Sequence, residues 1–507
     1  MVCNRIRVRD FRNIEQAEVE FCEEVNILAG ANAQGKTNLL EAIGYAALGK
    51  SFRTEHDEEM IRFGAGCAEV SVDFTDSQRR QNLTVRMMPG RRRRIEHNGV
   101  RAGRVSDVVG CFRTVLFCPE HLALVKDGPR ARRTFLDVAL SQLYPVYLKR
   151  LQRYNQILRQ RNQLIRTAQD DPATFRDTAE FWSVQLAAEA AALARYRWHY
   201  LQSAAAEVSD LFREMTGERE TPELVYAGSS RQEPAEYGDE AATREVYTRL
   251  LTANWPRELA AGSTLWGVHK DDVEILLNGR PARVFASQGQ QRSLALCLKL
   301  AEGAVCRQVC GELPVFLFDD VFSELDESRR AYLSGKLRGR QVIITSCEPG
   351  VTAGRVIRVQ GGTYRPEVPP SVREESKAET LAPGAASGDG KGTAPGKEAG
   401  DASGTEQSTA SGTEQETERE NKSGNTAGTV KETVSGDASG PAEKSAQAPA
   451  QSGEESLAEK SAQFLTQSGE ENPAGLPTQT PAQSVMERPA ILPVRGSTEP
   501  PDGAGTG

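Results

Sequence analysis

Apolar and polar positions alternate from the start of the chain. Ile6 and Val8, then Val19 and Phe21, mark two short strands around Asp10-Phe11-Arg12-Asn13 and predict a hairpin leading into a third strand. That strand, Val25-Asn26-Ile27-Leu28-Ala29, is apolar along most of its length, as a strand covered on both faces is. At Asn38-Leu39-Leu40-Glu41-Ala42-Ile43 the spacing becomes helical, and Gly49 is placed to stop the helix. Strand-like alternation returns from Ala68 to Phe74 and from Leu83 to Met87, and Thr114-Val115-Leu116-Phe117 is another apolar run. From about Ala139 to Phe212 the period is helical. Leu143, Tyr147, Leu151, Tyr154 and Leu158 step by three or four, as do Leu186, Ala190 and Leu193, then Val208, Leu211 and Phe212, after Pro172. Ser293 to Leu300 is again helical, and Pro314 to Phe318 reads as a buried strand.

Strands on either side of a long helical stretch predict an α/β protein with a helical insertion of limited length, not an extended coiled coil. Composition then truncates the folded part. Beyond Pro369 the chain turns to Gly, Ser, Ala, Thr, Glu, Gln and Pro, and short cassettes recur, such as Ser403 to Gln407 at Ser411 to Gln415. Such a segment cannot bury enough apolar surface to offset its chain entropy, so residues 369–507 are expected to be a disordered, low-complexity, acidic tail.

Charge divides at the same place. Residues 371–507 hold 11 Lys+Arg and 22 Asp+Glu, a net of −11, so the first 370 residues carry +3 although the whole chain carries −8. A weakly basic folded part permits nucleic-acid binding through a local patch. All nine cysteines lie in it without a C-x-x-C pair, and Cys306 and Cys310, one helical turn apart, find no second pair to complete a metal site. Reduced thiols, no signal peptide and no apolar run able to span a bilayer lead us to expect a cytoplasmic protein.

Candidate chemistry begins at Gly30-Ala31-Asn32-Ala33-Gln34-Gly35-Lys36-Thr37, between the Val25 strand and the Asn38 helix. Strand, loop and helix in that order are the context of a phosphate-binding loop. The two glycines let the backbone curl so that N–H groups and the positive end of the helix face phosphate oxygens. Lys36 would reach the β- and γ-phosphates of ATP, and Thr37 would offer its hydroxyl to Mg²⁺. Far downstream, Pro314-Val315-Phe316-Leu317-Phe318-Asp319-Asp320 ends a buried strand in two carboxylates. Asp319 would serve Mg²⁺, and Asp320 would orient or deprotonate the attacking water. Before it lies Ser287-Gln288-Gly289-Gln290-Gln291-Arg292, opening a helix, and after it Ser323-Glu324-Leu325-Asp326.

These last two stretches resemble the signature and D-loop of ABC-type ATPases, in a reduced Ser-x-Gly-Gln form. By that resemblance Ser287, Gly289 and Gln290 serve nucleotide held by the opposite subunit, so one P-loop and one signature per chain imply a head-to-tail homodimer. Together with Asp10-Phe11-Arg12-Asn13, Gly128 to Asp137 and Gly267-Val268-His269-Lys270-Asp271-Asp272, the motifs stand in the order and spacing of the RecF family, bacterial recombination-repair ATPases related to the SMC proteins. Val268 departs from the Pro usual there. The resemblance covers Met1 to Arg365.

It implies an ABC-type P-loop ATPase head with an antiparallel β subdomain. Residues 1–125 and 256–368 would be the two parts of the head, and 126–255 an inserted helical lobe. It also implies a protein of recombinational repair and replication that dimerises on ATP and DNA, including single/double-strand junctions, hydrolyses ATP slowly with DNA stimulation, and assists recombinase loading at gaps with RecO and RecR. The residues alone leave two alternatives standing: the soluble ATPase subunit of a transporter, or a scaffold that binds ATP without useful hydrolysis. For DNA, Arg91, Arg92, Arg93 and Arg94, between turn signals, and Arg130, Arg132 and Arg133, at a helix start, are the candidates. The first cluster fits a solvated hairpin tip equally well. The second opposes its helix dipole and needs a phosphate or an acidic neighbour. Arg12 reads as a surface turn residue with a nucleotide contact as second choice; His269 reads as a structural hydrogen-bonder more often than a catalyst, family position would put it near the nucleotide, and its role is left open.

Overall fold

The computed structural model describes residues 1–168, 172–217, 220–348 and 352–367; the expected tail, 369–507, lies outside the described residues. The first elements are β1 (Val2–Phe11), β2 (Ile14–Glu20), β3 (Val25–Ala29), α1 (Lys36–Leu48), β4 (Ala68–Thr75), β5 (Arg80–Met88), β6 (Arg91–His97), β7 (Val100–Arg101) and β8 (Thr114–Phe117). Next come α2 (Ala123–Lys126), α3 (Pro129–Leu143), α4 (Pro145–Thr167), α5 (Pro172–Thr216), β9 (Pro222–Ala227), α6 (Glu240–Ala253) and α7 (Trp255–Ala261). The order closes with β10 (Asp272–Leu277), β11 (Arg280–Pro281), α8 (Ala282–Phe285), α9 (Gln288–Cys310), β12 (Val315–Asp319), α10 (Glu327–Lys336), β13 (Val342–Ser346), β14 (Arg355–Gln360) and β15 (Thr363–Pro366).

An antiparallel sheet of order β2-β1-β4-β5-β6-β7 is built from the alternating segments. The expected β1–β2 hairpin is present, with Phe11 opposite Ile14. It does not continue into β3 as a neighbour, because the uninterrupted apolar run of β3 belongs in a second, mainly parallel sheet of order β15-β14-β3-β13-β12-β8. That sheet takes β3 and β8 from before the helical insertion and β12 to β15 from after it.

Helix α1 packs against strands of both sheets, which explains why Leu39, Leu40, Ala42, Ile43, Tyr45 and Ala46 are all buried instead of one stripe. The opposite face of the parallel sheet shares a core with α3, α4, α5 and α9. Within the helical part, Arg161 and Glu258, both fully buried, form an ion pair of 2.5 Å, and the guanidinium also reaches Ser183, Thr264 and the Leu251 carbonyl. This knot joins α4, α5, α6 and α7. A smaller sheet, β11-β10-β9, pairs β9 with β10 after the helices.

Candidate nucleotide site and basic surfaces

β3 and β12 run parallel with β13 between them, so the loop after β3 and the carboxylates ending β12 emerge at the same edge, where open α/β sheets bind ligands. Gly35 caps α1 with φ 109°, and Ala33 also has positive φ, at 62°. Gly30 has a tighter reason to be glycine than loop curvature: a Cβ there would lie 2.3 Å from the Val359 carbonyl oxygen of β14. Ala31, Asn32 and Ala33 are exposed at the crest. The buried Lys36 folds along the loop, its Nζ donating to the carbonyls of Gly30 at 2.7 Å and Ala31 at 2.8 Å.

Thr37 Oγ1 donates to Asp319 Oδ1 at 2.8 Å, and Thr345 Oγ1, from β13, donates to the same oxygen at 2.7 Å. The two motifs, nearly three hundred residues apart in sequence, thus share one hydrogen bond. Burial pushes the Asp319 carboxyl above its usual range; the Thr345 and Thr37 hydroxyls pull it back, and Glu120 and Asp320 push it up again. Glu120, exposed after β8, is a site carboxylate to which the sequence reading attached no role. Pro119 beside it hinted at a fixed turn, but only the pairing of β8 with β12 puts Glu120 near Asp319. Asp320 is exposed with φ 51°, its N–H held by Thr345 Oγ1 at 2.9 Å, and its carbonyl accepts from Ser323 of the D-loop stretch. A hydroxyl beside a buried carboxylate at the loop's end is a donor set that suits Mg²⁺ together with phosphate oxygens.

Arg12 is neither a free turn residue nor placed on the loop. It donates to Glu41 at 2.7 and 3.0 Å and to the Glu59 carbonyl at 2.8 Å. Glu41 is fully buried on α1 and also accepts from Ser51 and Arg53. Arg53 continues to Asn38 Oδ1, one residue after Thr37. His269 behaves as the structural reading holds: Nδ1 meets the Tyr154 hydroxyl at 2.6 Å and Nε2 the Thr264 carbonyl at 3.2 Å.

Ser287 is the N-cap of α9 and forms a capping box with Gln290: Gln290 N donates to Ser287 Oγ at 3.3 Å and Ser287 N to Gln290 Oε1 at 2.6 Å. Ser287 and Gln288 are exposed, and Gly289 lies against the Arg329 guanidinium at the start of α10. Among the described residues no hydrogen bond or ion pair joins Ser287, Gly289 or Gln290 to the Gly30–Thr37 loop of the same chain. Gln290 is bonded to Glu220 instead.

The arginine clusters split. On β6, Arg91, Arg92 and Arg94 are exposed, whereas Arg93 turns inward to Asp57 at 3.2 Å, the Tyr45 hydroxyl at 3.0 Å and the Gly49 carbonyl. Arg132 is a correction to the DNA-contact reading: it is buried and forks onto Asp272 at 2.8 and 2.9 Å, with the carbonyls of Leu124 and Asp127 completing its bonds. The compensation required at the start of α3 is therefore an acidic neighbour from β10. Arg133 donates to the Asp271 carbonyl at 2.8 Å, and Arg130, partly exposed, faces Glu55. Cys306 and Cys310 are free thiols, and no metal-binding group of His, Cys, Asp or Glu occurs among the described residues. No helix among them is long and apolar enough to cross a membrane.

Known proteins carry the same arrangement of elements. The model of the RecF/RecN/SMC N terminal domain matches residues 2–361. The DNA replication and repair protein RecF of Staphylococcus carnosus is 37% identical over 347 residues, covering 68% of this chain and 93% of that relative. Its counterpart from Acidothermus cellulolyticus is 38% identical over 359 residues, covering 70% and 96%. Solved structures of the recombination mediator protein RecF in the RecFOR pathway, with ATPrS and with ATP, are each 33% identical to the chain. They superpose with TM-scores of 0.69 and 0.67, covering 72% of this chain and 98% and 99% of theirs. With the Gly30–Thr37 loop, the paired carboxylates Asp319 and Asp320 and the capped helix α9 held on one fold, the chain belongs to the RecF/RecN/SMC N-terminal domain family, as a relative of the RecF DNA replication and repair proteins.

Proposed function

We propose that the chain is an ATP-gated DNA-binding protein of recombinational repair and replication. The observation that carries this reading is the Thr37–Asp319 hydrogen bond, which joins the phosphate loop to the carboxylate strand in one head. Gly30 to Thr37 would hold the triphosphate, Lys36 exchanging its loop carbonyls for phosphate oxygens. Thr37 and Asp319 would hold Mg²⁺, which supplies charge neutralisation on the phosphates. Asp320, exposed just after β12, would orient water, and the chain's activity is expected to be a weak, DNA-stimulated hydrolysis.

Among the described residues, exposed Ser287 and the N-terminus of α9, carrying Gly289 and Gln290, make no hydrogen bond or ion pair with their own loop. They would complete the site of a second copy, so ATP adds contacts between two chains and hydrolysis removes them. DNA would lie on the outward arginines Arg91, Arg92 and Arg94 and on the partly exposed Arg130. Structures of relatives named for the RecFOR pathway make RecO and RecR the partners to test.

Sedimentation of the full chain without nucleotide, with ADP and with ATP, each with and without gapped DNA, tests the coupling. A dimer with ATP only, strengthened by DNA, is the expected result. Lys36→Arg should abolish both the ATP-induced dimer and ATP-dependent DNA binding, and if both persisted the mechanism would be wrong.

A further inference from the structure

The last two strands hold the phosphate loop from behind. Gly362 N donates to the Gln34 carbonyl at 2.9 Å, and Gly361 N to Gln34 Oε1 at 2.7 Å. Tyr364, 9% exposed, donates its hydroxyl to the Gly35 carbonyl at 2.8 Å, alongside the first-turn bond from Leu39 N at 3.0 Å. The fit is close: a Cβ on Gly35 would stand 3.0 Å from the Tyr364 oxygen. At the loop's other end Gly30 abuts Val359. Both ends of the loop are therefore set by β14, β15 and the turn between them.

We propose that Tyr364 is a positioning residue for phosphate binding, acting through the Gly35 carbonyl; the inference rests on the nucleotide reading above. Its physical basis is the planarity of the peptide. In a trans peptide the C=O and the next N–H point in opposite directions. Holding the Gln34 and Gly35 carbonyls towards the C-terminal strands turns the N–H groups of Gly35 and Lys36 the other way. Two consecutive N–H groups facing one side form the concave donor surface that an anion occupies. Tyr364 thus adds a second hold to the Gly35 carbonyl that Leu39 N already engages from the first turn of α1, narrowing the orientations of a peptide whose glycine would tolerate several.

Tyr364→Phe removes the hydroxyl and keeps the ring. Calorimetric titration with ATP is expected to show a Kd raised by roughly three- to tenfold, the effect of one lost hydrogen bond. Turnover at saturating ATP should stay unchanged, so the loss falls on KM and not on kcat. An unaltered Kd in Tyr364→Phe overturns the inference. Should that variant unfold, Gln34→Ala, which removes the acceptor of Gly361 N, is read in the same way, with weaker ATP binding expected and unaltered binding overturning the inference. Absence of ATP binding by the unsubstituted chain would instead overturn the nucleotide reading, so the two failures are distinguishable.

Discussion

Lys36 and Thr37 are adjacent in the chain, yet one is committed to its own loop and the other to a strand far downstream. Asp319→Asn should therefore weaken Mg²⁺-dependent ATP binding by about tenfold or more, since an amide neither balances the cation nor offers two equivalent acceptors. Titration of nucleotide with and without Mg²⁺ checks this, and equal losses in both arms would remove Asp319 from the metal site. His269 gives a pH prediction. Burial, with Lys270, Arg133 and Arg161 nearby, pushes its pKa down to about 3, against the bond to the Thr264 carbonyl. A folded pKa below the unfolded value means that the unfolded chain binds more protons in between, so this contribution falls as pH drops below about 6.5. Between pH 7 and 5 His269 should cost about 1–2 kcal/mol, and His269→Gln should flatten the decline of the urea midpoint over that window.

At the scale of elements, β6 shows how strand geometry divides a run of like residues. Arg91, Arg92 and Arg94 are exposed, while Arg93 enters a pocket lined by Tyr45 and Asp57. Reversing Arg91, Arg92 and Arg94 to Glu should weaken DNA binding similarly across sequences and flatten its dependence on salt, as lost phosphate contacts do. Unchanged affinity at low salt would place the DNA surface elsewhere. Arg93→Glu should act on thermal stability instead. The knot of Arg161 and Glu258 makes a prediction for the helices: Glu258→Ala leaves a buried guanidinium uncompensated and should cost about 3–5 kcal/mol of stability, read by denaturant unfolding. The helical period had suggested packing faces for α4 and α5 but not this polar lock, whose members come from separate elements.

For the whole molecule, the proposed mechanism makes exposed Ser287 and the loop at Gly30 to Thr37 two half-sites on one chain. On the proposed mechanism, Asp320→Asn should leave ATP-induced dimers intact but slow their release from DNA, measured by fluorescence after dilution. Unchanged release would favour a scaffold that needs no hydrolysis.

How much of this was legible beforehand follows from the range of the forces involved. Elements and loops whose cause is local could be read in the residues: the alternation of β1 and β2, the apolar β3 and β12, the glycines and Lys-Thr pair of the loop, and the helix opened by the Ser287 stretch. Binding partners brought together across the sheet could not. Glu120 comes near Asp319, Arg132 forks onto Asp272, Arg12 grips Glu41 and Tyr364 holds Gly35 only after strands and helices have packed. The sequence by itself determined the α/β class, the helical insertion and the strand, loop and helix order around Gly30 to Thr37, because backbone propensity and hydrophobic period act over a few residues. Tertiary structure alone decided which arginines face outward and which carbonyls the loop presents, because desolvation makes a buried charge or a turned peptide affordable only where a partner waits.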